Sequence, residues 1–217
     1  MTKLQIAKDK VGGLSNTSKM PCFSWGIPTR YCRRGKELQK DKSSICGSCY
    51  AMSGAYLWKP VDNAYTRRYE AWLNLPRKEW IDSMVTILNS GAVKKRGHFR
   101  WFDSGDLQGV DMLSDIIAVC IRTPHIKHWL ATREYRTANY FRDIPSNLVI
   151  RQSHDQIDKL DRDNISEDVH QSVTISDRST KLTKKQFTCP SLLQDGKCLD
   201  CRACWNPKVK TIAYIKH

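Results

Sequence analysis

The chain has 217 residues, enough to bury a sizeable core, and its 40% hydrophobic content with seven tryptophans excludes a disordered chain. A formal charge of +14 favours polyanionic partners such as nucleic acid. No apolar run approaches the length of a bilayer span, and Met1 to Lys10 alternates charge where a signal peptide would be apolar. The expectation is therefore a protein with no membrane association, in a cytoplasm where nine cysteines serve a purpose other than disulfides.

Residues 1–20, with Gly12-Gly13 and scattered polar groups, read as a loose lead-in. From Pro21 to Tyr50 the chain is crowded with Gly, Pro, Cys and Ser and shows little periodicity. Such a stretch holds a shape only if something other than a core ties it down. Cys22, Cys32, Cys46 and Cys49 lie within it as a candidate metal-binding set. Basic residues cluster at Arg30, Arg33, Arg34 and Lys36, at Lys94, Lys95, Arg96 and Arg100, and at Lys181, Lys184 and Lys185. These clusters fit a nucleic-acid face or a generally basic surface equally well.

Pro60-Val61-Asp62 opens a helical pattern carrying Ala64, Tyr65, Tyr69, Trp72 and Leu73, and Pro76 interrupts it. A second helix carries Trp80, Met84, Ile87 and Leu88 up to Ser90-Gly91. Strands and helices then alternate. A strand at 98–102 ends at Asp103-Ser104-Gly105-Asp106, and a helix follows from Met112 to Ile121, its Cys120 a structural thiol. A strand at 128–131 ends at Thr132-Arg133, with His125 and His128 read as structural or surface residues; a helix from Glu134 to Phe141 follows. A third strand at 147–150 ends at Arg151-Gln152-Ser153-His154, and Val169 to Ile175 suggests a fourth. This alternation predicts an α/β fold with crossover helices on a mainly parallel sheet, open or closed into a partial barrel. The expected organisation is a cysteine-rich region at 1–58, an α/β core at 59–180 and a four-cysteine segment at 181–217, within one compact domain. Parallel sheets gather functional groups at the C-terminal ends of their strands, so Asp103, Asp106, Arg133 and Arg151 are the candidate catalytic residues, with His154 beside them. The alternative is an ion-pair network that stabilises those ends.

The C-terminal segment carries the strongest signal, Cys189-Pro190 followed by Cys198-x-x-Cys201-x-x-Cys204. Four thiolates complete a [4Fe–4S] cluster or a tetrahedral zinc site. The close C-x-x-C-x-x-C pitch favours the cluster, because each thiolate reaches a different iron, whereas zinc more often joins two separated knuckles. Cys189, Cys198, Cys201 and Cys204 would form a closed centre that exchanges electrons with a redox partner or supports the fold. Cys32, Cys46 and Cys49 would hold a second one, open at one iron if Cys22 stays off it and closed if Cys22 binds. A single shared centre, with Cys46 and Cys49 meeting two C-terminal cysteines, is a further alternative. So is a nucleic-acid-binding module in which the metal merely shapes a basic surface.

Two resemblances add to this. Cys46-Gly47-Ser48-Cys49-Tyr50, a C-x-x-C followed by an aromatic residue and then alternating strands and helices, resembles the cluster loop of radical S-adenosylmethionine enzymes. That resemblance implies S-adenosylmethionine as a ligand; it departs from the family in having thirteen residues between Cys32 and Cys46 where the family has three. Met20 to Trp25, Cys46 to Ala51, Phe99 to Leu107, His128 to Arg133 and Cys201 to Trp205 together resemble a family of uncharacterised bacteriophage proteins. This second resemblance implies a phage origin and the host cytoplasm, and no activity.

Overall fold

The computed structural model describes residues 1–140, 143–160 and 169–216. In chain order the main elements are α1 (Lys3–Lys10), β1 (Phe23–Trp25), α2 (Arg34–Leu38), α3 (Lys59–Asn74), α4 (Arg77–Leu88), α5 (Gly91–Arg96), β2 (His98–Trp101), α6 (Val110–Ile121), β3 (Lys127–Thr132), α7 (Tyr135–Ala138), β4 (Leu148–Ile157), β5 (His170–Ile175), β6 (Gln186–Thr188) and β7 (Thr211–Ile215). The seven strands form one open sheet in the order β1-β2-β3-β4-β5-β7-β6, and every pairing is parallel.

The two-residue period of a strand gives the sheet two different faces. Phe23, Trp25, Phe99, Trp101, Leu130, Leu148 and Ile150 share one face and pack with Trp80, Met84, Leu88, Leu113 and Ile116 of α4 and α6 into the main core. Trp25 meets Trp80 at 5.6 Å and Trp101 at 6.1 Å, both edge-on, the favourable arrangement for aromatic quadrupoles. The other face presents Ser24, Arg100, Trp129, Ala131 and Arg151, and the C-terminal cysteine segment lies over it.

Pro60 falls in the first turn of α3, where its missing N–H costs nothing, and Pro76 separates α3 from α4, as the sequence predicts. Other elements differ from expectation. The lead-in contains α1, whose N-terminus is capped by the Thr2 hydroxyl accepting from Gln5 N at 3.2 Å. Strand β1 is too short for a periodic signal; it forms because Phe23 to Trp25 pair with Phe99 to Trp101. Strand β4 does not end at Arg151 but runs ten residues to Ile157. Its polar Arg151 and Gln152 resemble a loop in sequence, yet both are buried between neighbouring strands. Helix α7 is shorter than the pattern suggested, and the predicted end at Phe141 lies outside the described residues. Among the described residues no helix is long and apolar enough to cross a membrane.

Candidate functional site

The segment between β1 and α3 folds over the C-terminal ends of β2, β3 and β4. Just past β2, Phe102 adopts φ 60° and Gly105 φ 81°, which turn the chain sharply beside β1. A side chain at Gly105 would place its Cβ 2.4 Å from Ile27 Cγ1 and 2.6 Å from Ile27 O, so only glycine fits. Phe102 N and Ile27 N close this turn by donating to Trp25 O and Ser104 O.

Both predicted carboxylates lie here, and each is already engaged. Asp106 accepts from Thr132 Oγ1, from Arg133 N and from Leu107 N. Burial pushes its carboxyl up to about 6 despite those donors. Asp103 accepts from Tyr65 OH at 2.7 Å through one oxygen, and its other oxygen faces the Cα of Gly26. Its backbone carbonyl accepts from Tyr50 OH at 2.9 Å, which ties the residue after Cys49 to the end of β2. Arg133 Nη2 donates to His154 O at 3.2 Å, and its buried Nε lies 3.7 Å from Asp155 Oδ1 in an ion pair. Asp155, which the sequence did not single out, occupies the end of β4 instead of Arg151. It accepts from Arg34 Nη2 and Tyr135 OH, both at 2.8 Å. Arg34 N in turn donates to Glu134 Oε1, and Ser44 forms an antiparallel bridge with Gln156.

These anchors gather Cys32, Cys46 and Cys49 into one set. A Cβ at Gly35 would stand 3.7 Å from both Cys32 Sγ and Cys46 Sγ, so the two sulfurs flank a space that a glycine keeps open. Burial, then the Asp106 carboxylate and the other two thiols, push the Cys32 thiol up. Burial raises Cys46 too, and Arg133 is the main group that opposes it. The Cys32 and Cys46 thiols therefore resist ionisation unless a cation joins them.

Cys22 is not part of this set. It lies at the other face of the sheet, 1% exposed, in a cluster with Trp129 and Trp205 against which Met20, Cys204 and Tyr214 pack. Cys189, Cys198, Cys201 and Cys204 lie on that same side. Cys198 N donates to Lys19 O, Trp205 Nε1 donates to Phe99 O at 2.8 Å, and Cys204 Sγ lies 3.2 Å from Tyr214 OH. Arg151 fixes this segment from beneath. Fully buried in mid-strand, it donates to the carbonyls of Ala203, Cys204, Asn206, Val209 and Lys210. Arg151 thus sits away from the strand ends and from the other three candidate catalytic residues. Arg100 stands between the two cysteine sets, with Nη1 3.2 Å from Met20 Sδ and Nη2 3.3 Å from Tyr50 OH.

All nine cysteines are free thiols. Among the described residues no three Cys, His, Asp or Glu side chains converge closely enough for a single metal ion. The first basic cluster of the sequence serves the fold: Arg30 pairs with Asp62, Arg33 donates to Gln108 O and Arg34 pairs with Asp155. No curated protein and no solved structure matches the chain. A family model described as Gene product 88 matches residues 2–207. That span takes in both cysteine sets and all the strand-end motifs, and the chain belongs to this phage-type family, Gene product 88.

Proposed function

We propose that the protein is an iron–sulfur protein with two [4Fe–4S] centres, one open and one closed, and that it acts as a redox or radical-type enzyme. The observation that carries this reading is the separation of Cys22 from Cys32, Cys46 and Cys49, which leaves three thiols at the strand ends. Three protein thiolates leave one corner of a cluster free for a ligand, and such a centre supplies Lewis-acid and electron-donor chemistry. Cys189, Cys198, Cys201 and Cys204 are the expected thiols of the closed centre. The buried Arg151 supports it, because no carboxylate pairs with this guanidinium among the described residues and the Cys204 thiol is one of the few groups that would balance its charge.

This chain's own residues have definable tasks at the open site. Arg133, whose guanidinium is ion-paired with Asp155, lies beside Cys46 and draws that thiol toward its ionised form. The Asp106 carboxylate holds the Arg133 backbone in place; the Asp103 carboxylate holds Tyr65, while its backbone carbonyl holds Tyr50 and with it the end of the cysteine loop. The Asp106 carboxylate is therefore a positioning group, and Arg133 is the cationic group that a ligand beside Cys46 would meet. S-adenosylmethionine is the ligand that the resemblance of the cysteine loop implies.

Anaerobic purification after expression with ample iron tests the reading. The expected protein is brown, contains iron and acid-labile sulfide, and absorbs broadly in the visible through thiolate-to-iron charge transfer. After reduction, S-adenosylmethionine should change the electron paramagnetic resonance signal of one centre only, and Cys46→Ser should remove that centre. Colourless protein carrying stoichiometric zinc would overturn the proposal, since a filled d shell gives no such absorption.

A further inference from the structure

Charge is segregated along the chain, and the sheet turns that segregation into a surface. Residues 83–102, 116–133 and 201–217 carry eleven Lys and Arg and no Asp or Glu. Parts of all three segments meet at the N-terminal edge of β2 and β3, the end of these strands remote from Asp103, Asp106 and Arg133. Lys94, Lys95 and Arg96 end α5 just before β2, and all three are exposed. His98 pairs with Lys127, the exposed first residue of β3, and Lys127 N donates to Gly97 O at 2.9 Å. Trp205 packs edge-on to the His98 ring at 5.3 Å, and Trp205 N donates to Arg202 O, which brings Arg202 to the same edge. Burial holds the His98 imidazole below its usual value, and the charges of Arg202 and Lys127 add to that effect.

These five cations keep their charge. Among the described residues none of them joins an ion pair. Arg96 donates to Asn16 Oδ1 at 2.7 Å and lies 4.1 Å from the centre of the Phe23 ring, and Arg202 donates to the carbonyls of Leu199 and Cys201. All of these partners are neutral. A helix C-terminus favours cations in its last turn, which accounts for Lys94, Lys95 and Arg96. It does not account for Lys127 and Arg202, which arrive from other elements. The basic cluster at Arg30 to Arg34 is engaged with Asp62, Asp155 and Gln108 O, and the one at Lys181 to Lys185 belongs to the single connection between β5 and β6. Like charges held together on a paired edge repel one another, and a polyanion relieves that repulsion while releasing its own counterions.

We propose that the N-terminal edge of β2 and β3 binds the phosphate backbone of nucleic acid through Lys94, Lys95, Arg96, Lys127 and Arg202. Contacts of this kind position a nucleic acid without reading its sequence. The surface is separate from the thiol sets and requires no metal.

Fluorescence anisotropy of the full chain with labelled duplexes and single strands of about 20 nucleotides tests the proposal. The parent should bind at about 50 mM salt, with log K falling against log salt at a slope of about −4. The triple variant Lys94→Ala, Lys95→Ala, Lys127→Ala removes exposed side chains, so its melting midpoint should hold. Its binding should weaken at least about tenfold, with the slope flattened by about 2 to 3. Lys181→Ala, Lys184→Ala, Lys185→Ala removes the same charge elsewhere and should leave affinity and slope unchanged. Equal losses in the two triple variants would assign binding to overall charge and overturn the proposal. A parent that binds neither probe would also overturn it. So would polyglutamate displacing the probe as well as unlabelled nucleic acid of equal charge, because the edge would then fit an acidic protein.

Discussion

His128 shows how a single side chain's protonation is set by its surroundings. It is completely buried on the helix-facing side of β3. Its Nδ1 accepts from Trp101 Nε1 at 3.3 Å. Its Nε2, 2.9 Å from Thr123 Oγ1, carries the proton, because that hydroxyl gives its own hydrogen to Val119 O. Burial above all, with His125 adding to it, depresses the imidazole to about 3 from its usual 6.5. The unfolded chain therefore binds a proton that the native chain refuses between those values, so stability falls as pH drops through 6.5 towards 3. The loss should reach about 2 kcal/mol between pH 6.5 and pH 5. Urea unfolding across that range should show it, and His128→Gln, which keeps a donor and an acceptor, should flatten the slope.

At the scale of elements, the C-terminal segment is held to the sheet mainly by one guanidinium. Arg151 satisfies five carbonyls between Ala203 and Lys210 that water does not reach easily. Arg151→Met keeps much of the volume and removes every donor. Each buried carbonyl left without a partner costs about 1–3 kcal/mol, reduced where the segment relaxes towards solvent. The expected net loss is about 3–5 kcal/mol. Hydrogen exchange should locate the effect, with protection falling first in 203–210 and last in β2 and β3. Uniform loss across the chain would show that the segment and the sheet unfold together.

At the scale of the whole molecule, the two cysteine sets differ in what depends on them. The loop bearing Cys32, Cys46 and Cys49 has protein anchors of its own, including Tyr50 on Asp103, Arg34 on Asp155 and the bridge from Ser44 to Gln156. The C-terminal set instead supports a segment that buries Trp129 and Trp205 on the open face of the sheet. Binding free energy at a metal centre is folding free energy when the unfolded chain has no preformed site. Cys46→Ser should therefore lower iron content while moving the melting midpoint by only about 3 °C, a change of about 1 kcal/mol. Cys198→Ser, which removes one thiol of the C-terminal set, should lower the midpoint by about 10 °C. Calorimetry of the anaerobically loaded proteins measures both, and equal shifts would contradict this asymmetry.

Local chemistry made much of this legible in the sequence. The helices between Lys59 and Leu88 follow from apolar periodicity and two prolines, and the strand at Phe99 to Trp101 from its alternation with helices. The parallel sheet, and the placement of Asp103, Asp106 and Arg133 at its C-terminal edge, follow from that alternation. Strand β1 and the extension of β4 were not legible, because three residues carry no period and polar residues read as loop wherever their partners are distant in sequence. Cysteine spacing identified thiol-rich segments but not their grouping. Cys22 lies ten residues from Cys32 in the chain, yet just before β1 it packs with Trp129, Trp205 and Cys204 on the other side of the sheet. Which cysteines share a side of the sheet was decided by the pairing of β1 with β2 and by Arg151 drawing the C-terminal segment onto that face. Both are contacts between residues far apart in sequence, which no local pattern encodes.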